Sequence, residues 1–385
     1  MNPISIYIHW PFCLSLCPYC DFNSHISEIV DDQLWLDAYK TELTYFSKHI
    51  TGRKVRSIFF GGGTPSLMNP MIVENLIKVI ADTAIIDIDT EITLEANPTS
   101  YETKKFEQFK SAGVNRVSIG VQSLDNKSLS LLGRKHNVDD AIKSIESAAK
   151  LFNRYSYDLI YALQDQTLAS WQKELGRALT LAKNHISLYQ LTIEKGTPFF
   201  KLHNDGKLIL PSNDVAADMY EWTNEYLNQF GFNRYEISNY AIEGQESIHN
   251  LCYWNYDEYI GIGPGAHSRL HLGQTKEAVM MIHKPHKWLE QVRINGNGIG
   301  QRIILNRNEV IKEVFMMGTR LESGFSLDQF QQKTGLPLKE VLDMSIVTQY
   351  QDKKLVLLDE NLFKLTANGL LLHSYLIPRM LKNFY

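Results

Sequence analysis

Three cysteines within eight residues are the side chains with the clearest chemistry in this chain of 385 residues. Cys13, Cys17 and Cys20 come directly after residues 4–8, an apolar run that predicts a buried strand. Three thiols cannot pair into disulfides without leaving one over. Three thiolates on a short loop can instead bind three irons of a four-iron cluster, which leaves the fourth iron open to the amino and carboxylate groups of a methionine derivative. The spacing therefore predicts an iron–sulfur site.

Two alternatives use the same cysteines. Cys17 and Cys20 form a Cys-x-x-Cys pair, which after a strand also fits a thioredoxin- or glutaredoxin-like redox site. The pair would also serve as half of a zinc site, although the sequence has no second Cys-x-x-Cys or nearby His-x-x-x-His to supply the other half. The fourth cysteine, Cys252, lies far along the chain.

The first half of the chain alternates between strand and helix patterns. The predicted strands cover residues 4–8, 55–60, 91–95, 114–121, 155–160 and 186–193. The predicted helices between them cover residues 31–48, 70–80, 101–112, 138–151 and 168–183. Such alternation with short connections predicts a parallel sheet with helices outside it. Periodicity does not decide whether that sheet is open or closes into a barrel.

Glycines and polar residues follow the predicted strands. Residues 61–65, Gly-Gly-Gly-Thr-Pro, end the second strand, and glycines let backbone groups approach a ligand closely. Glu95, Gln122 and Asp158 end later strands, and Arg134 follows a helical stretch. Each alone would be an ordinary capping, surface or salt-bridge residue. Because ligands bind at the carboxyl ends of the strands in such folds, these positions indicate one site at that edge.

The pattern changes beyond about residue 200. A predicted helix over 214–230 leads into a segment rich in glycine and aromatic residues, and a turn is expected near 296–298. From about residue 305 the chain resembles a separate small module, with predicted helices over 307–317, 326–333 and 338–349, two strands over 355–358 and 361–365, and a final helix from 368. Helices followed by a hairpin predict a winged-helix-like shape.

Composition limits the class of protein. Hydrophobic residues make up 44% and charged residues 21%, as in ordinary globular proteins. A net charge of −4 argues against a general nucleic-acid binder, which needs a basic surface. No stretch approaches the roughly 18 apolar residues of a membrane span, and no signal peptide is evident. Few cysteines fit a reducing compartment, so a cytoplasmic protein is expected.

The cysteine spacing and its surroundings resemble a known family. Cys-x-x-x-Cys-x-x-Cys after the first strand is the signature of radical S-adenosylmethionine (radical SAM) proteins. Residues 7–13 and 20–24 resemble the subgroup of oxygen-independent coproporphyrinogen oxidases and HemW heme chaperones. The resemblance covers nearly the whole chain. It implies an α/β fold with an incomplete (β/α)6 barrel over residues 1–235, a connecting segment over 236–300 and a small, mainly helical HemN-like C-terminal domain over 301–385.

The resemblance also implies a binding site for S-adenosylmethionine (SAM). The glycine loop, with Gly62, Gly63 and Thr64, would contact the methionyl part of SAM. An arginine can pair bidentately with its carboxylate, and an aspartate can accept both ribose hydroxyls. The family positions that contact SAM match Tyr7, Tyr19, Glu95, Gln122, Arg134 and Asp158. The two tyrosines would serve equally well as packing aromatics.

A second motif, His-Asn-Leu-Cys-Tyr-Trp, covers residues 249–254. A lone histidine beside aromatic residues is more often packed in a core than a ligand. The motif nevertheless resembles the His-Asn-x-x-Tyr-Trp sequence that is associated with heme binding in HemW proteins. His249 or Cys252 would then offer an axial ligand, and Tyr253 and Trp254 a flat aromatic wall.

Some positions depart from the subgroup's patterns. Phe22 stands where coproporphyrinogen oxidases carry a fourth cysteine, and only twelve residues precede Cys13. Ala162 and Gln164 stand where the family usually has glycine and proline, which bears on the placement of adenosine.

The resemblance implies a heme chaperone that binds a [4Fe-4S] cluster, SAM and heme. Such a protein would deliver heme to acceptor proteins, respiratory and membrane-associated ones among them, and would lack coproporphyrinogen oxidase activity. The alternative is an oxygen-independent coproporphyrinogen III oxidase, in which cleavage of SAM yields a radical that abstracts hydrogen from a propionate side chain. A third and weaker alternative is a thiol redox protein that uses Cys17 and Cys20.

Overall fold

The structure is a computed structural model that describes residues 2–27, 30–272 and 275–382. Its strands are, in chain order, β1 (Ile4–Trp10), β2 (Phe12–Cys13), β3 (His25–Ile26), β4 (Val55–Gly62), β5 (Glu91–Ala96), β6 (Arg116–Gln122), β7 (Arg154–Tyr161), β8 (His185–Gln190), β9 (Asn233–Glu236), β10 (Asn239–Ala241), β11 (Tyr259–Ile262), β12 (His267–Leu272), β13 (Thr275–Met281), β14 (Ile299–Leu305), β15 (Phe325–Ser326), β16 (Val356–Leu358) and β17 (Leu362–Leu365).

The helices alternate with these strands in the first half of the chain and dominate its last part. They are α1 (Asp32–Ile50), α2 (Pro70–Ala81), α3 (Ser100–Thr103), α4 (Phe106–Ser111), α5 (Asn126–Leu131), α6 (Val138–Leu151), α7 (Leu168–Leu179), α8 (Pro198–Asn204), α9 (Asn213–Asn228), α10 (Ile248–Trp254), α11 (Pro285–Asn295), α12 (Arg307–Gly318), α13 (Leu327–Thr334), α14 (Leu338–Val341), α15 (Met344–Asp352), α16 (Ala367–Leu371) and α17 (His373–Met380).

Six parallel strands form the centre of the sheet. β1, β4, β5, β6, β7 and β8 lie side by side in chain order, and each pairs in parallel with the next. Every residue of β1 except the half-buried Tyr7 is buried, polar residues included, as expected of a strand covered on both faces. The predicted strand–helix alternation and the α/β fold class are therefore confirmed.

Further strands extend this sheet on both sides. β11 pairs in parallel with the free side of β1, and β12, β13 and β14 continue outward in antiparallel order. β10 and β9 add two antiparallel strands beyond β8. Among the described residues, β14 and β9 are the two edge strands of an open sheet. The sequence did not predict these additions, because several are only three or four residues long.

A buried carboxylate holds the segment after β11 against the first helix. Glu42 of α1 accepts hydrogen bonds from the backbone N–H groups of Gly263 (2.8 Å) and Gly298 (2.6 Å). The indole N–H of Trp288 donates to the same carboxylate at 3.1 Å. A buried carboxylate must find such donors to offset its lost hydration. Gly263, Trp288 and Gly298 are thus fixed next to α1.

The last part of the chain has its own core. Phe315, Phe325, Phe330 and Phe363 belong to a buried cluster formed almost wholly by residues from 305 onward. β15, β17 and β16 form a three-stranded antiparallel sheet beside it. The predicted single helix over 338–349 is wrong: α14 ends, and the Asp343 side chain caps the separate α15. Within the described residues, no helix combines the length and apolar composition needed to cross a bilayer.

Candidate functional site

The three clustered cysteines line one cavity at the carboxyl end of β1. The loop that carries them is closed by the pairing of β2 with β3. Cys13, Cys17 and Cys20 are free thiols, each half-buried, and all three line a cavity of about 180 Å³. Among the described residues, no three Cys, His, Asp or Glu side chains surround a single point as a mononuclear metal site requires. A four-iron cluster takes each thiolate at a different iron, and three separate thiols facing one cavity fit it.

Hydrogen-bond donors approach the sulfur atoms of Cys13 and Cys17. The Thr64 hydroxyl donates to the Sγ of Cys13 at 3.3 Å, and the Arg134 guanidinium donates to the Sγ of Cys17 at 3.3 Å. Arg134 also donates to the carbonyl of Gly120 at 2.8 Å and to the side-chain oxygen of Asn97. Donors of this kind stabilise thiolates, since the charged form of sulfur accepts the stronger hydrogen bonds.

The glycine loop after β4 forms the next wall. Gly62 has φ +113°, and a Cβ on it would lie 2.6 Å from the His9 ring. A Cβ on Gly63 would lie 2.7 Å from the carbonyl oxygen of Phe12. Both positions therefore require glycine, and the loop backbone comes directly to the cavity surface. The N–H of Gly62 donates to the Glu95 carboxylate at 3.1 Å, which joins this loop to the end of β5.

Glu95 and Asp158 face the same cavity from β5 and β7. Burial and the nearby charge of Asp158 raise the pKa of Glu95 to about 8. Burial likewise raises the pKa of Asp158 to about 6, although hydrogen bonds from Ser187 and Ser118 oppose this. Both carboxyl groups have pKa values raised by burial, and a cationic ligand group beside them would favour the ionised form of each.

Nearly all of the residues predicted to contact SAM line this cavity. They are Tyr19, Gly62, Gly63, Thr64, Glu95, Gln122, Arg134 and Asp158. Tyr7 does not: its hydroxyl hydrogen-bonds to the Nδ1 of His9 at 3.0 Å, and it lines a neighbouring cavity.

Sequence reasoning missed Asn97, Ser118 and His136, which also line the first cavity. Asn97 could have been found, because it comes two residues after Glu95 and alternate residues of an extended chain share one side. Its amide donates to Thr64 at 3.0 Å, so it links two residues of the cavity wall.

The heme-associated motif forms the short helix α10, and its histidine is fully engaged. Ser57 hydrogen-bonds to the Nδ1 of His249 at 2.8 Å, and the Tyr253 hydroxyl hydrogen-bonds to the Nε2 at 2.8 Å. The ring stacks on Phe59 with centroids 4.9 Å apart and is 1% exposed. Burial lowers the pKa of His249 to about 3, so the imidazole is neutral.

The other motif residues differ in exposure. Cys252 is buried, and burial raises the pKa of its thiol to about 12. Trp254 lies against the guanidinium of Arg320, 4.4 Å from its ring. Tyr253 lines the second cavity, of about 360 Å³, which shares Phe22, Gly62 and Glu95 with the first. The structure therefore brings the motif beside the cysteine cavity but leaves neither His249 nor Cys252 open to a ligand.

Ala162 lies outside both cavities, and its backbone is in the left-handed region with φ +57°. The glycine that the resemblance implies at this position adopts such a φ without strain, whereas alanine does not. The structure therefore places this departure in the backbone rather than in the cavity wall.

Two protein-family models match this chain, one in its N-terminal part and one in its C-terminal part. Residues 7–177 match the radical SAM superfamily, and residues 305–372 match the HemN C-terminal domain. A mitochondrial "radical S-adenosyl methionine domain-containing protein 1" from Bos taurus is 38% identical over 98% of this chain and 87% of its own length. Two proteins named heme chaperone HemW are also similar. The Lactococcus lactis protein is 33% identical over 99% of this chain and 98% of its own, and the Haemophilus influenzae protein is 36% identical over 91% and 92%.

One solved structure covers nearly the whole fold. Coproporphyrinogen III oxidase (HemN) from Escherichia coli, described as a radical SAM enzyme, aligns with a TM-score of 0.82 over 98% of this chain and 89% of its own, at 23% identity. At that identity the likeness concerns the fold. Together with the full-length relatives and the cavity that the three cysteines share, these matches show that the chain belongs to the radical SAM superfamily, as a HemN-like protein with a HemN C-terminal domain.

Proposed function

We propose that this protein is a heme chaperone that carries a [4Fe-4S] cluster, binds SAM beside it, binds heme and delivers heme to acceptor proteins. The observation that carries the proposal is one cavity that joins Cys13, Cys17 and Cys20 to the glycine loop and to Arg134. Relatives that match over almost their whole length and are named heme chaperones support the heme part.

The cluster is assigned to Cys13, Cys17 and Cys20, with Thr64 and Arg134 as hydrogen-bond donors to sulfur. When bound, the cluster would supply an open iron for chelation and an electron for chemistry on SAM. The chain's own contribution is to hold three thiols apart around one cavity and to keep the loop closed through β2 and β3.

SAM is assigned to the remainder of that cavity. Gly62 and Gly63 offer backbone groups to the methionyl part, and Arg134 offers a fork of N–H donors to a carboxylate. Burial raises the pKa values of Glu95 and Asp158, and the positive charges of SAM would favour their ionised forms. Gln122 and Tyr19 line the same cavity, whereas Tyr7 lines the neighbouring one.

An alternative function is oxygen-independent coproporphyrinogen III oxidation. The fold likeness to HemN favours it. Phe22 argues against it, because this position, where that enzyme group is expected to carry a further cysteine, holds an exposed aromatic ring. The chaperone proposal therefore includes the absence of coproporphyrinogen oxidase activity.

The experiment that separates the two functions uses the anaerobically reconstituted full chain. It is titrated with heme and, separately, incubated with coproporphyrinogen, SAM and a reductant. We expect a heme absorption spectrum at stoichiometric addition and transfer of that heme to a heme-free acceptor, without vinyl products. Multiple turnovers to vinyl products with 5′-deoxyadenosine would establish the alternative. A Cys17→Ser variant serves as the control, because it should lose cluster-dependent chemistry in either case.

Two further assignments belong to the same proposal. We propose a domain boundary near residue 301, before the C-terminal core begins, with residues 1–235 and 236–300 as the barrel and the segment after it. We also propose a cytoplasmic location, with acceptors that include membrane-associated respiratory proteins and no nucleic-acid partner.

A further inference from the structure

The residue that the motif offers as a heme ligand is not available in this structure. Both ring nitrogens of His249 have protein partners at 2.8 Å, and its side chain is 1% exposed. An iron ion could reach it only if Ser57 or Tyr253 gave up a hydrogen bond in the core. Cys252 is 3% exposed, and its thiol holds its proton. Heme must therefore find its axial ligand elsewhere.

The second cavity provides other histidines. His267, at the start of β12, and His283, just after β13, both line it. Both side chains are exposed, and within the described part of the chain neither ring has a hydrogen-bond partner. His9 lines the same cavity but is buried, with its ring nitrogens engaged by Tyr7 and by the carbonyl of Asn23. An imidazole with a free nitrogen is a normal heme ligand, so His267 and His283 meet this requirement and His9 does not.

The walls of this cavity suit a flat aromatic ring system. Tyr253 and Tyr259 pack edge to face with centroids 4.7 Å apart, and both line the cavity. Phe22 lines it from the cysteine loop and is 64% exposed. Aromatic surfaces of this kind stack on extended π systems. Next to His283 in the chain, Lys284 and Lys287 are exposed cations, which complement the two propionates of heme.

Asn23, in the cysteine loop, holds the backbone before His267 and the backbone at His283 in place. The amide of Asn23 donates to the carbonyls of Pro264 and of His283, each at 3.0 Å. Glu42 fixes Gly263 of the same segment. His267 also starts a strand whose register with β13 is continuous, whereas His283 lies beyond the end of β13. Because a rigidly held ligand loses less entropy on binding, His267 is the better placed of the two histidines.

We propose that heme binds in this second cavity with His267 as its axial ligand, and that His249 acts as a positioning residue through Tyr253. This inference rests on the proposed heme-chaperone function and extends it to a specific site. The Nε2 or Nδ1 lone pair of neutral His267 would coordinate the iron without change of oxidation state. Tyr253, held by His249, would form one wall of the site.

Hemin titration of the full chain tests the assignment by absorption and electron paramagnetic resonance spectra. We expect His267→Gly to weaken hemin binding at least tenfold and to change the ligand spectrum. Added imidazole should restore the wild-type spectrum, because it fills the space of the missing side chain. His267→Gln, which keeps side-chain bulk, should show the same loss. His286→Ala is the matched control: this exposed histidine of α11 does not line the cavity, and binding should be unchanged.

His249→Phe distinguishes the positioning role proposed for His249 from the ligand role proposed for His267. A positioning role predicts the wild-type ligand spectrum with an affinity loss of a few-fold, since the iron ligand is still present. The proposal is overturned if His249→Phe loses the spectrum while His267→Gly keeps it, or if hemin binds the wild type but is insensitive to every change at His267. If the wild type binds no hemin, the proposed function itself fails and this inference fails with it. Circular dichroism and iron content of each variant show whether the chain has folded.

Discussion

The guanidinium of Arg134 lies 3.3 Å from the Sγ of Cys17, although the two residues are 117 positions apart in the sequence. The same arginine donates to Asn97 and to the carbonyl of Gly120. One side chain thus connects the cysteine loop after β1 with the ends of β5 and β6. The cysteine and SAM assignments therefore share Arg134, and substitutions of Cys17 and of Arg134 test them.

Replacing Cys17 by serine should abolish the cluster. Anaerobic reconstitution of the wild type should give about four irons and four sulfides per chain. Cys17→Ser removes one of the three thiolates and should retain almost none. Cys252→Ser is the matched control, because Cys252 is buried away from the cavity and its loss should leave iron content unchanged. Stoichiometric zinc without an iron–sulfur chromophore in the wild type would contradict the assignment.

Replacing Arg134 by alanine should weaken SAM binding. A charge-assisted hydrogen bond contributes about 1.5–3 kcal/mol, which corresponds to roughly a ten- to hundred-fold increase in Kd. Arg293→Ala, at an exposed position of α11, should leave the affinity unchanged. Isothermal titration of SAM against reconstituted protein provides the measurement. Equal affinities for wild type and a folded Arg134→Ala variant would remove Arg134 from the site.

The stability of the chain without SAM should fall as the pH rises from about 5 to 8. Glu95 has a pKa of about 8 in the folded chain, above the ordinary 4.5, because of burial and then the charge of Asp158. A carboxyl that binds its proton more tightly when folded stabilises the fold at low pH and loses that contribution as the pH rises to its folded pKa. Each unit of difference is equivalent to about 1.4 kcal/mol.

Glu95→Gln should flatten that pH dependence, because the amide does not titrate. Thermal unfolding at a series of pH values measures the effect, and Glu107→Gln, at an exposed position of α4, should keep the wild-type slope. Saturating SAM should also reduce the slope, since its positive charges favour the ionised carboxylates. Parallel profiles for wild type and Glu95→Gln would show that Glu95 titrates normally.

Ala162→Gly should stabilise the protein. Ala162 is buried with φ +57°, a left-handed conformation that costs an L-residue about 1–2 kcal/mol. Glycine avoids this cost but loses more chain entropy on folding, so a net gain of about 0.5–1 kcal/mol in the free energy of unfolding is expected. The same change at Ala141, inside α6, should destabilise the protein by at least about 1 kcal/mol. Denaturant unfolding measures the free energy of unfolding of both variants. A change of the same sign for Ala162→Gly and Ala141→Gly would contradict the prediction.

The sequence predicted the central sheet well because its strands carry apolar residues largely at alternate positions, a pattern that is visible locally. It missed β11 because residues 259–262 are a short Tyr-Ile-Gly-Ile segment between glycines and aromatic residues. That segment becomes a strand only through pairing with β1, more than 250 residues earlier. Such a long-range partner leaves no local pattern, so tertiary context determined the structure there.

The residues of the candidate site also differ in how far the sequence could predict them. The cysteines, the glycine loop and the charged strand ends could be found because their types and spacing are local. The engagement of His249 could not, because Ser57 and Phe59 lie on β4, about 190 residues before it. His267 has no distinguishing neighbours in the sequence beyond the glycines before it. Its place beside Tyr253 and Tyr259 is visible only once β11 and β12 are assembled.

The position of β1 between β4 and β11 has a consequence for biosynthesis. The strand that leads into the cysteine loop is the first to be synthesised, but its parallel partner on one side ends at Ile262. Glu42 is also synthesised early, but its hydrogen-bond donors Gly263, Trp288 and Gly298 come much later in the chain. While the ribosome is still making the middle of the chain, the cysteine loop therefore lacks part of its support. Metal insertion into the finished site should follow release of most of the chain, and the nascent thiols need a reducing environment until then.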